Sequence, residues 1–583
     1  MDIFELYFMF VSMYIETVPN RNSPPAILLR ESWREGKKTK KRTIANLTGW
    51  PSTLVESFRK ILQGAVAVYP KDIFSIDRSV PHGHVKAIIG IIRNLELDNI
   101  IASKPCRERD LVLGMIAEQI IHPTSKLGFT RIWNTTTLPE ELGIGDADEN
   151  ELYATMDWLY ERQERIEKKL AGKHLHNGAQ VLYDVTSSYY EGNNCSLAQF
   201  GHNRDGKKGR PIIVYGMMTD AWGRPVSVQV YKGNTADPTT VPDQVDKLLN
   251  RFGLKRIVLV GDRGMLAQTQ IDHLKEHPGI GWISCLRFDA IREVNQGDLQ
   301  LSLFDEQNLA EIASPNYPGE RLIACYNPLM AQQRRRKREE LLVATQEKLD
   351  KIVREVNRRK KKIMDKATIG QKAGRAINSH KMGKHFDLQI EDGHFSYTLK
   401  KDSIKREYEL DGIYVVRTSE AAEKLSADDA VRSYKNLSSV EQLFRTLKGV
   451  ETLVRPIRHR QERRVRAHIF ICMLAYYVQW HMRKALAPLL FDDQQLLEDK
   501  KTRDPVAPAK PSAQAKMKKS KREIADGLPI HSFKTLLEEL GMHMRNHCTV
   551  KQINSKSGLS INQYTELSPV QKRAFELLNL CVQ

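Results

Sequence analysis

Residues 427–448, ADDAVRSYKNLSSVEQLFRTLK, form the stretch from which the fold of the whole chain is best inferred. Four apolar residues recur in it at the spacing of one helical face; they are Leu437, Val440, Phe444 and Leu447. This spacing predicts a helix over the stretch, with one apolar stripe packed on a core. The stretch is therefore expected to form a layer of a folded domain.

The same helix carries a polar stripe. Tyr434, Glu441 and Lys448 lie seven residues apart, so two helical turns bring each of them nearly above the last. Ser438 and Arg445 occupy the intermediate steps. An ordinary exposed face with a Glu441–Arg445 pair would also explain these residues. A functional interpretation therefore needs other carboxylates that can share a site with Glu441.

Two aspartates interrupt or follow apolar strands. Asp184 lies in AQVLYDVTSSYYEG (179–192), and Asp262 follows IVLV in KRIVLVGDRGM (255–265). The carboxyl ends of parallel strands are where open α/β sheets bind ligands, although an aspartate there often only caps the next helix. Two aspartates and a helical glutamate supply the hard oxygen ligands that a two-metal phosphoryl-transfer site needs.

Residues 427–448 resemble the Tyr–Arg–Glu–Lys signature of bacterial insertion-sequence transposases of the DDE class, in the insertion-sequence-four-like group. That signature has Tyr, two residues, Arg, three residues, Glu, six residues and Lys. Tyr434, Glu441 and Lys448 match it, and Leu437 stands where the signature has arginine. Three nearby cations are candidates to make the phosphate contact of that arginine: Arg432, Lys435 and Arg445.

The resemblance implies that Asp184, Asp262 and Glu441 are both the catalytic residues and the ligands of two Mg²⁺ ions, for which Mn²⁺ can substitute. It also implies contacts with DNA around the site; the residues are Tyr434, Lys448, Arg445, Arg263 and Asn234. Gly233-Asn234 is equally a common turn sequence. No covalent protein–DNA intermediate is expected, because the protein positions charge while the metals activate the nucleophile.

The predicted fold class is α/β with a ribonuclease-H-like catalytic core. Residues 178–288 have the expected order of strands and helices, with Asp184 on the first strand and Asp262 after the fourth. Glu441 follows Asp262 only after 179 residues, far more than a turn requires. The core is therefore predicted to be interrupted by a helical-plus-β insertion, and residues 410–485 return to it with the Glu441 helix.

Composition and pattern divide the rest of the chain. The predicted regions are an amino-terminal extension (1–12), a small basic β-containing region (13–97), a helical DNA-binding subdomain (98–175), an inserted basic domain of helices and strands (289–409), and a basic linker with carboxy-terminal helices (486–583). The extension is apolar and acidic with no cleavage site, which favours an upstream start codon over a signal peptide. The Lys-, Pro- and Ala-rich residues 500–522 are predicted to be disordered.

A basic helix is predicted within the insertion. Residues 331–375 contain 16 Lys+Arg against 6 Asp+Glu, a net charge of +10. Leu342, Leu349, Ile352, Val353 and Val356 form its apolar stripe. A charge run is usually a solvated face, but its concentration beside a nuclease core favours contact with the DNA backbone.

Overall composition agrees with a nucleic-acid partner. The formal net charge is +19 and the sequence pI is about 9.4, a balance that favours a polyanion but also suits ribosomal or membrane-surface proteins. Seven cysteines are scattered without a CxxC pair, which predicts a reducing compartment, no zinc ribbon and no disulfides. We expect a cytoplasmic, nucleoid-associated protein with no membrane segment, which binds double-stranded DNA as a homodimer.

The resemblance thus implies a transposase that recognises the terminal inverted repeats of its element, cleaves there and joins the freed 3′-OH ends to target DNA. Two alternatives stay open on the sequence. An inactive, transposase-derived DNA-binding protein is mildly favoured by Leu437 and opposed by the intact acids. A ribonuclease-H-like nuclease would cleave DNA without joining it.

Overall fold

The computed structural model describes residues 12–21, 23–65, 74–294, 304, 308–359, 363–524, 526–550 and 559–581. These residues form two compact units. The smaller unit contains the described residues up to Ser79 together with Arg545–Tyr564, and the larger one contains Val80–Met544 and the residues from Thr565 onward. Of the predicted extension, only Ser12 lies within the described residues.

The smaller unit begins with a three-stranded antiparallel sheet followed by a helix. The elements are β1 (Ser12–Val18), β2 (Ala26–Glu35), β3 (Lys38–Asn46) and α1 (Ser52–Leu62). Gly36 makes the β2–β3 turn with φ of 62°, a left-handed conformation that glycine adopts without strain. Ile15, Leu29, Leu47 and Val55 form a small core between the sheet and α1. These elements lie within residues 13–97, the region predicted to be basic and to contain strands.

A group of helices follows a single strand. The elements are β4 (Phe74–Pro81), α2 (Gly83–Asn94), α3 (Leu97–Ile101), α4 (Arg107–Ile121), α5 (Lys126–Ile132), α6 (Leu138–Leu142), α7 (Glu149–Tyr160) and α8 (Gln163–His174). Helix α4 is buried from Leu111 to Ile120, so it lies at the centre of this group. The predicted helical region is therefore helical, but its helices start at Gly83 rather than at residue 98.

The central sheet begins with the strands predicted for the core. They are β5 (Ala179–Tyr189), β6 (Ile212–Asp220), β7 (Pro225–Lys232), β8 (Ile257–Val260) and β9 (Ile280–Cys285), with α9 (Val241–Asp246) and α10 (Gln268–Lys275) between them. Strands β5, β8 and β9 are parallel, and β6 is antiparallel to β5 and β7. The spatial order β7-β6-β5-β8-β9 is consistent with the predicted ribonuclease-H-like core.

The region predicted as an insertion divides between the sheet and a separate cluster. Its elements are α11 (Phe288–Val294), β10 (Leu309–Ile312), β11 (Arg321–Tyr326), α12 (Pro328–Arg358), α13 (Lys366–Ser379), β12 (Phe386–Glu391), β13 (His394–Leu399) and α14 (Lys401–Glu409), followed by β14 (Ile413–Thr418). Strands β10, β11 and β14 extend the central sheet in the order β10-β11-β14-β9. The elements from α12 to α14 pack on a core of their own, whereas α11 packs with β11 and β14 on a second core.

The return to the core contains α15 (Ala427–Lys435), α16 (Leu437–Lys448) and α17 (Glu462–Leu486). The helix predicted over 427–448 is thus divided at Asn436, whose backbone N–H still bonds to the carbonyl of Arg432 and whose carbonyl accepts from Ser439. The apolar stripe from Leu437 to Leu447 is buried as predicted. Helix α17 is buried along most of its length and contacts both the helical group and the central sheet.

The carboxy-terminal region corrects one prediction. Its elements are α18 (Leu496–Thr502), α19 (Ala513–Lys521), α20 (Phe533–Gly541), β15 (Met544–Val550), β16 (Leu559–Tyr564) and α21 (Pro569–Leu577), and the sheet order is β16-β15-β4. The stretch 500–522, predicted as disordered, contains helical residues. Lys518 explains the difference, because its buried ammonium donates to the carbonyls of Ala487, Leu490 and Asp492. A lysine-rich composition does not reveal such acceptors.

The structure also bears on membrane-spanning segments and on the cysteines. Among the described residues, every helix is too short or too polar to cross a bilayer. All seven cysteines are free thiols.

Candidate active site

The two predicted aspartates lie near the same edge of two neighbouring parallel strands. Leu182 of β5 pairs in register with Val260, the last residue of β8. Asp184 follows Leu182 by two residues within β5, and Asp262 follows Val260 by two residues in the loop after β8. The sequence prediction that both acids lie at one edge of the sheet is thus consistent with the register.

Helix α16 brings Glu441 to the same face of the sheet. Alternation along β5 places Leu182 and Asp184 on one face and Val181 and Tyr183 on the other. Leu182 belongs to the core that contains the buried stripe of α16, whereas Val181 and Tyr183 belong to the core on the opposite side. Asp184 therefore projects from the face that α16 covers.

The electrostatics of Asp184 connect all three carboxylates. The pKa of Asp184 is raised to about 7, chiefly by burial and in smaller part by the negative charges of Asp262 and Glu441, against the backbone N–H of Val185 and the charge of Arg204. Like charges raise a carboxyl pKa in this way when they lie near it in a partly dehydrated place. Asp262 and Glu441 are therefore both near enough to Asp184 to act on its charge.

Each carboxylate also has local partners. Asp184 Oδ1 accepts the N–H of Val185 at 2.7 Å. Asp262 Oδ1 accepts from Gly264 and Met265 at 3.0 and 2.8 Å. These two N–H groups belong to the turn after β8, whereas the next helix, α10, begins after Ala267 without a side-chain cap. Glu441 pairs with Arg445 at 3.4 Å on an exposed helical face. These local contacts do not by themselves distinguish a structural role of the three carboxylates from a functional one.

The donor set suits a hard divalent cation by its chemistry, since all three side chains are carboxylates whose mutual repulsion a cation would relieve. Among the described residues, however, no three His, Cys, Asp or Glu side chains are arranged closely enough to form a metal cluster. The exposed Glu441, whose partner is Arg445, is the carboxylate with the most freedom to reorient. The residues fit a metal in type, and a shared ion would require the Glu441 side chain to turn toward the two aspartates.

Lys448 does not share the exposed stripe of Glu441. Its ammonium donates to Thr186 Oγ1, the carbonyl of Ser187 and Asp205 Oδ1, at 2.7, 2.6 and 3.0 Å. Lysine has three donors, so all of them are used within the protein. Burial lowers the pKa of Lys448, and Asp205 opposes that shift. Lys448 thus ties the end of α16 to β5 just beyond Asp184.

Asp205 is a site residue that sequence reasoning missed. Its side chain is 1% exposed and forms ion pairs with Lys448 and Arg455 at 3.0 and 2.5 Å. Its second oxygen accepts the N–H of Tyr189 at 3.0 Å. The available signal was one acid within the basic loop GHNRDGKKGR (201–210). This carboxylate joins β5, α16 and the segment after α16.

The loop of Asp205 is held against the loop of Asn234. A Cβ atom at Gly201 would collide with the carbonyl of Gly233, so the two loops approach more closely than side chains would allow. Arg204 forms an ion pair with Asp237 across this contact. Asn234 itself is exposed in a turn after β7, which keeps both of its predicted interpretations open.

The other predicted DNA contacts have different environments. Arg263 is exposed next to Asp262, and Arg445 is exposed on α16. Tyr434 is half-buried; burial raises the pKa of its phenol, as do the Cys285 thiol, with which it shares a hydrogen bond, and the charge of Asp262. Arg263, Arg445 and Tyr434 thus border the acids, whereas Lys448 turns inward.

Leu437 and two of its proposed replacements do not face the acids. Leu437 is 9% exposed and belongs to the main core. Arg432 bonds to the carbonyl of Arg503, and Lys435 to the carbonyls of Val506 and Ala507. Of the three candidate replacements, Arg445 is therefore the one that remains exposed beside Glu441.

Leu437→Arg is expected to destabilise the protein by about 2 kcal/mol rather than to complete the signature, because it places a charge in an apolar core from which only part of the side chain can reach water. Urea denaturation of Leu437→Arg beside the volume-conserving Leu437→Met measures the effect. Equal stability of the two variants would show that this position opens toward solvent and can accept the arginine.

Residues 180–478, just over half of the chain, match the family described as "Transposase DDE domain". Residues 15–70 match "IS1634 family transposase, N-terminal domain", so the insertion-sequence-four-like subgroup predicted from the signature is not confirmed. No curated protein matches the chain.

One solved structure is described as the cryo-EM structure of piggyBac transposase synaptic complex with hairpin DNA. It is similar to this chain with 9% sequence identity and a TM-score of 0.33 over 68% of this chain and 72% of that one. A similarity at that level carries no argument about this protein.

Proposed function

Because the chain belongs to the family of transposases with a DDE domain, we propose that it is an insertion-sequence transposase that binds the ends of its element, cleaves the DNA there and joins the 3′-OH ends to target DNA. The observation that carries this proposal is the electrostatic coupling of Asp184 with both Asp262 and Glu441. Three carboxylates from two strands and a helix are the donors that two-metal phosphoryl transfer needs.

In the proposed mechanism Asp184, Asp262 and Glu441 are the catalytic residues and hold two Mg²⁺ ions, or Mn²⁺ in their place. Such ions, when bound, activate the attacking water or 3′-OH and stabilise the leaving oxygen. The protein holds Asp184 and Asp262 on a rigid ribonuclease-H-like sheet, whereas Glu441 exchanges its contact with Arg445 for the site. That exchange frees Arg445 for a phosphate oxygen.

The surroundings of the acids supply the contacts that orient DNA. Arg263, Arg445, Tyr434 and Asn234 are proposed to touch phosphates or sugars near the scissile bond, because they border the carboxylates. Lys448 is proposed to act indirectly, since its three donors hold Thr186, Ser187 and Asp205. A lysine in that role positions β5 and α16 rather than the DNA.

Helix α12 is proposed to contact the DNA backbone. Arg335 and Arg338 form ion pairs with Asp411. Other cationic side chains of the helix are exposed, among them Arg336, Lys337 and Lys351. Neutralising phosphates releases counterions and makes affinity depend on salt. The exposed cations of α12 therefore suit a backbone contact that carries no sequence preference.

The double variant Lys337→Gln, Lys351→Gln is expected to reduce the slope of log K against log salt concentration by about 2, because each lost phosphate contact removes about 0.9. Fluorescence anisotropy of a labelled duplex from 50 to 300 mM salt measures the slope. The matched control is Lys534→Gln, Lys572→Gln, which removes two exposed charges from other helices. Equal slopes in the two double variants would place the DNA elsewhere.

A nuclease that does not join DNA and an inactive DNA-binding remnant are the alternatives. The test is Mg²⁺-dependent cleavage and joining of duplexes that carry the ends of the element, taken from the DNA that flanks the gene. Joined products support the transposase. Cleavage without joining would indicate the nuclease, and tight binding with neither activity would indicate the remnant.

The proposal extends to assembly and location. Joining two element ends to one target is most simply done by two copies of the chain, so we propose a homodimer on DNA and a nucleoid-associated, cytoplasmic protein. Sedimentation of the protein with one and two end duplexes measures the stoichiometry.

A further inference from the structure

A cavity of about 610 Å³ lies apart from the three acids, between the helical group and the segment that joins α16 to α17. Its walls come from residues 119–126 of α4 and α5, from Tyr153 of α7 and from residues 453–468. Five cationic side chains line it: Lys126, Arg455, Arg458, Arg460 and Arg464. None of the lining side chains is acidic.

Three of these cations have acidic partners outside the cavity. Arg455 pairs with Asp205, Arg458 with Glu191 at 3.0 Å, and Arg464 with Asp157 at 3.3 Å. Lys126 and Arg460 have no hydrogen bond or ion pair with any residue that the structure describes. Among the described residues, these two cationic side chains therefore have no direct acceptor.

Lys126 is the more informative of the two, because its side chain is only 5% exposed. Burial lowers its pKa, and the nearby Glu118 and Cys472 oppose that shift only through space. Burial also raises the pKa of Glu118 to about 8, so this acid does not fully balance the lysine at neutral pH. An ammonium in so poorly hydrated a place, without a protein acceptor, is stabilised by an anion in the cavity that it lines.

The remaining walls are aromatic and uncharged. The rings of His459 and His468 lie 5.1 Å apart, and His459 meets Tyr153 edge-on at 6.0 Å. Burial lowers the pKa of both histidines, that of His468 to about 4. Neutral ring faces beside cations suit a sugar and base attached to a phosphate, and the cavity has room for more than a phosphate alone.

We propose that this cavity is an anion site that takes a phosphate group of the DNA backbone, with Lys126 and Arg460 as its direct ligands. The DNA source rests on the proposed function. Arg455 links the cavity to the candidate active site, because it shares Asp205 with Lys448. A phosphate held here is thus fixed relative to β5, the strand that carries Asp184.

The test measures binding without metal, in EDTA, so it does not depend on cleavage or joining. Inorganic phosphate is titrated against sodium chloride at equal ionic strength, with the thermal midpoint as readout, and a labelled end duplex is titrated separately. Wild type should be stabilised saturably by phosphate. Lys126→Met should melt at a higher temperature without phosphate, because the unpaired buried charge is gone, and should lose the response to phosphate.

Both Lys126→Met and Arg460→Gln should weaken duplex binding at least tenfold, whereas Lys534→Gln, which removes an exposed charge elsewhere, should leave it within twofold. Arg460 is exposed, so its variant decides the matter if Lys126→Met does not fold. Duplex affinity equal to wild type in these variants would overturn the proposal, even where the phosphate response is lost. Anion binding that persists in a protein unable to join DNA would refute only the proposed function.

Discussion

Asp184→Asn is expected to reduce DNA joining by at least about a thousandfold, because it removes one charged ligand from a site whose chemistry depends on metal-borne charge. Asparagine has the same shape and keeps the acceptor for the N–H of Val185. The variant also relieves the repulsion that Asp184 receives from Asp262 and Glu441. Its thermal midpoint without metal should therefore equal or exceed that of wild type.

The measurement is the rate of Mg²⁺-dependent joining per molecule of protein, with duplex affinity measured in EDTA on the same preparations. Asp246→Asn is the matched control, since Asp246 is an exposed acid of α9 on the opposite side of the sheet from α16. Joining by Asp184→Asn within tenfold of wild type would remove Asp184 from the catalytic set. A lowered thermal midpoint would show instead that the loss arises from the fold.

Local signals were sufficient to place the acids. Strand-forming residues before Asp184 and Asp262, and the loop glycines around Asp262, determine where each strand runs and ends. The period of the apolar residues in α16 determines which of its faces is buried. Strand ends and the buried face of a helix depend on residues close together in the sequence. To place Asp184 and Asp262 near one another, the only further assumption was that their strands are parallel.

Contacts between distant segments could not be predicted in this way. Lys448 has the same spacing from Glu441 as Tyr434 has, and nothing in its helix indicates that its ammonium turns toward Asp205, 243 residues earlier. Strands β10 and β11 are short apolar runs, and such runs do not specify the sheet they join. The stretch around Lys518 contains the same residue types as a disordered linker. Its order could not be predicted, because the groups that accept from Lys518 are backbone carbonyls of another segment.

Asp205→Asn is expected to lower the stability of the region around β5 by about 3 kcal/mol, because it leaves two cations without their acid in a place with little water. The side chains of Lys448 and Arg455 are 12% and 30% exposed, so solvent compensates only part of the loss. Asparagine retains an acceptor for the N–H of Tyr189, but its NH2 group replaces the oxygen that accepts from Lys448 and pairs with Arg455. Hydrogen–deuterium exchange of the amides of residues 185–190 measures the effect where it arises.

The double variant Asp205→Asn, Lys448→Met tests how much of the loss arises from leaving the Lys448 ammonium without the Asp205 carboxylate. If Lys448 is destabilising once Asp205 is neutral, its replacement should recover about 1 kcal/mol of the loss, so that the two changes are not additive. Asp237→Asn is the control, because it removes a more exposed acid from the same pair of loops. Exchange unchanged in Asp205→Asn, or strictly additive losses in the double variant, would mean that the loop is held by its backbone contacts alone. In that case the connection from the cavity through Arg455 to β5 would have no energetic basis.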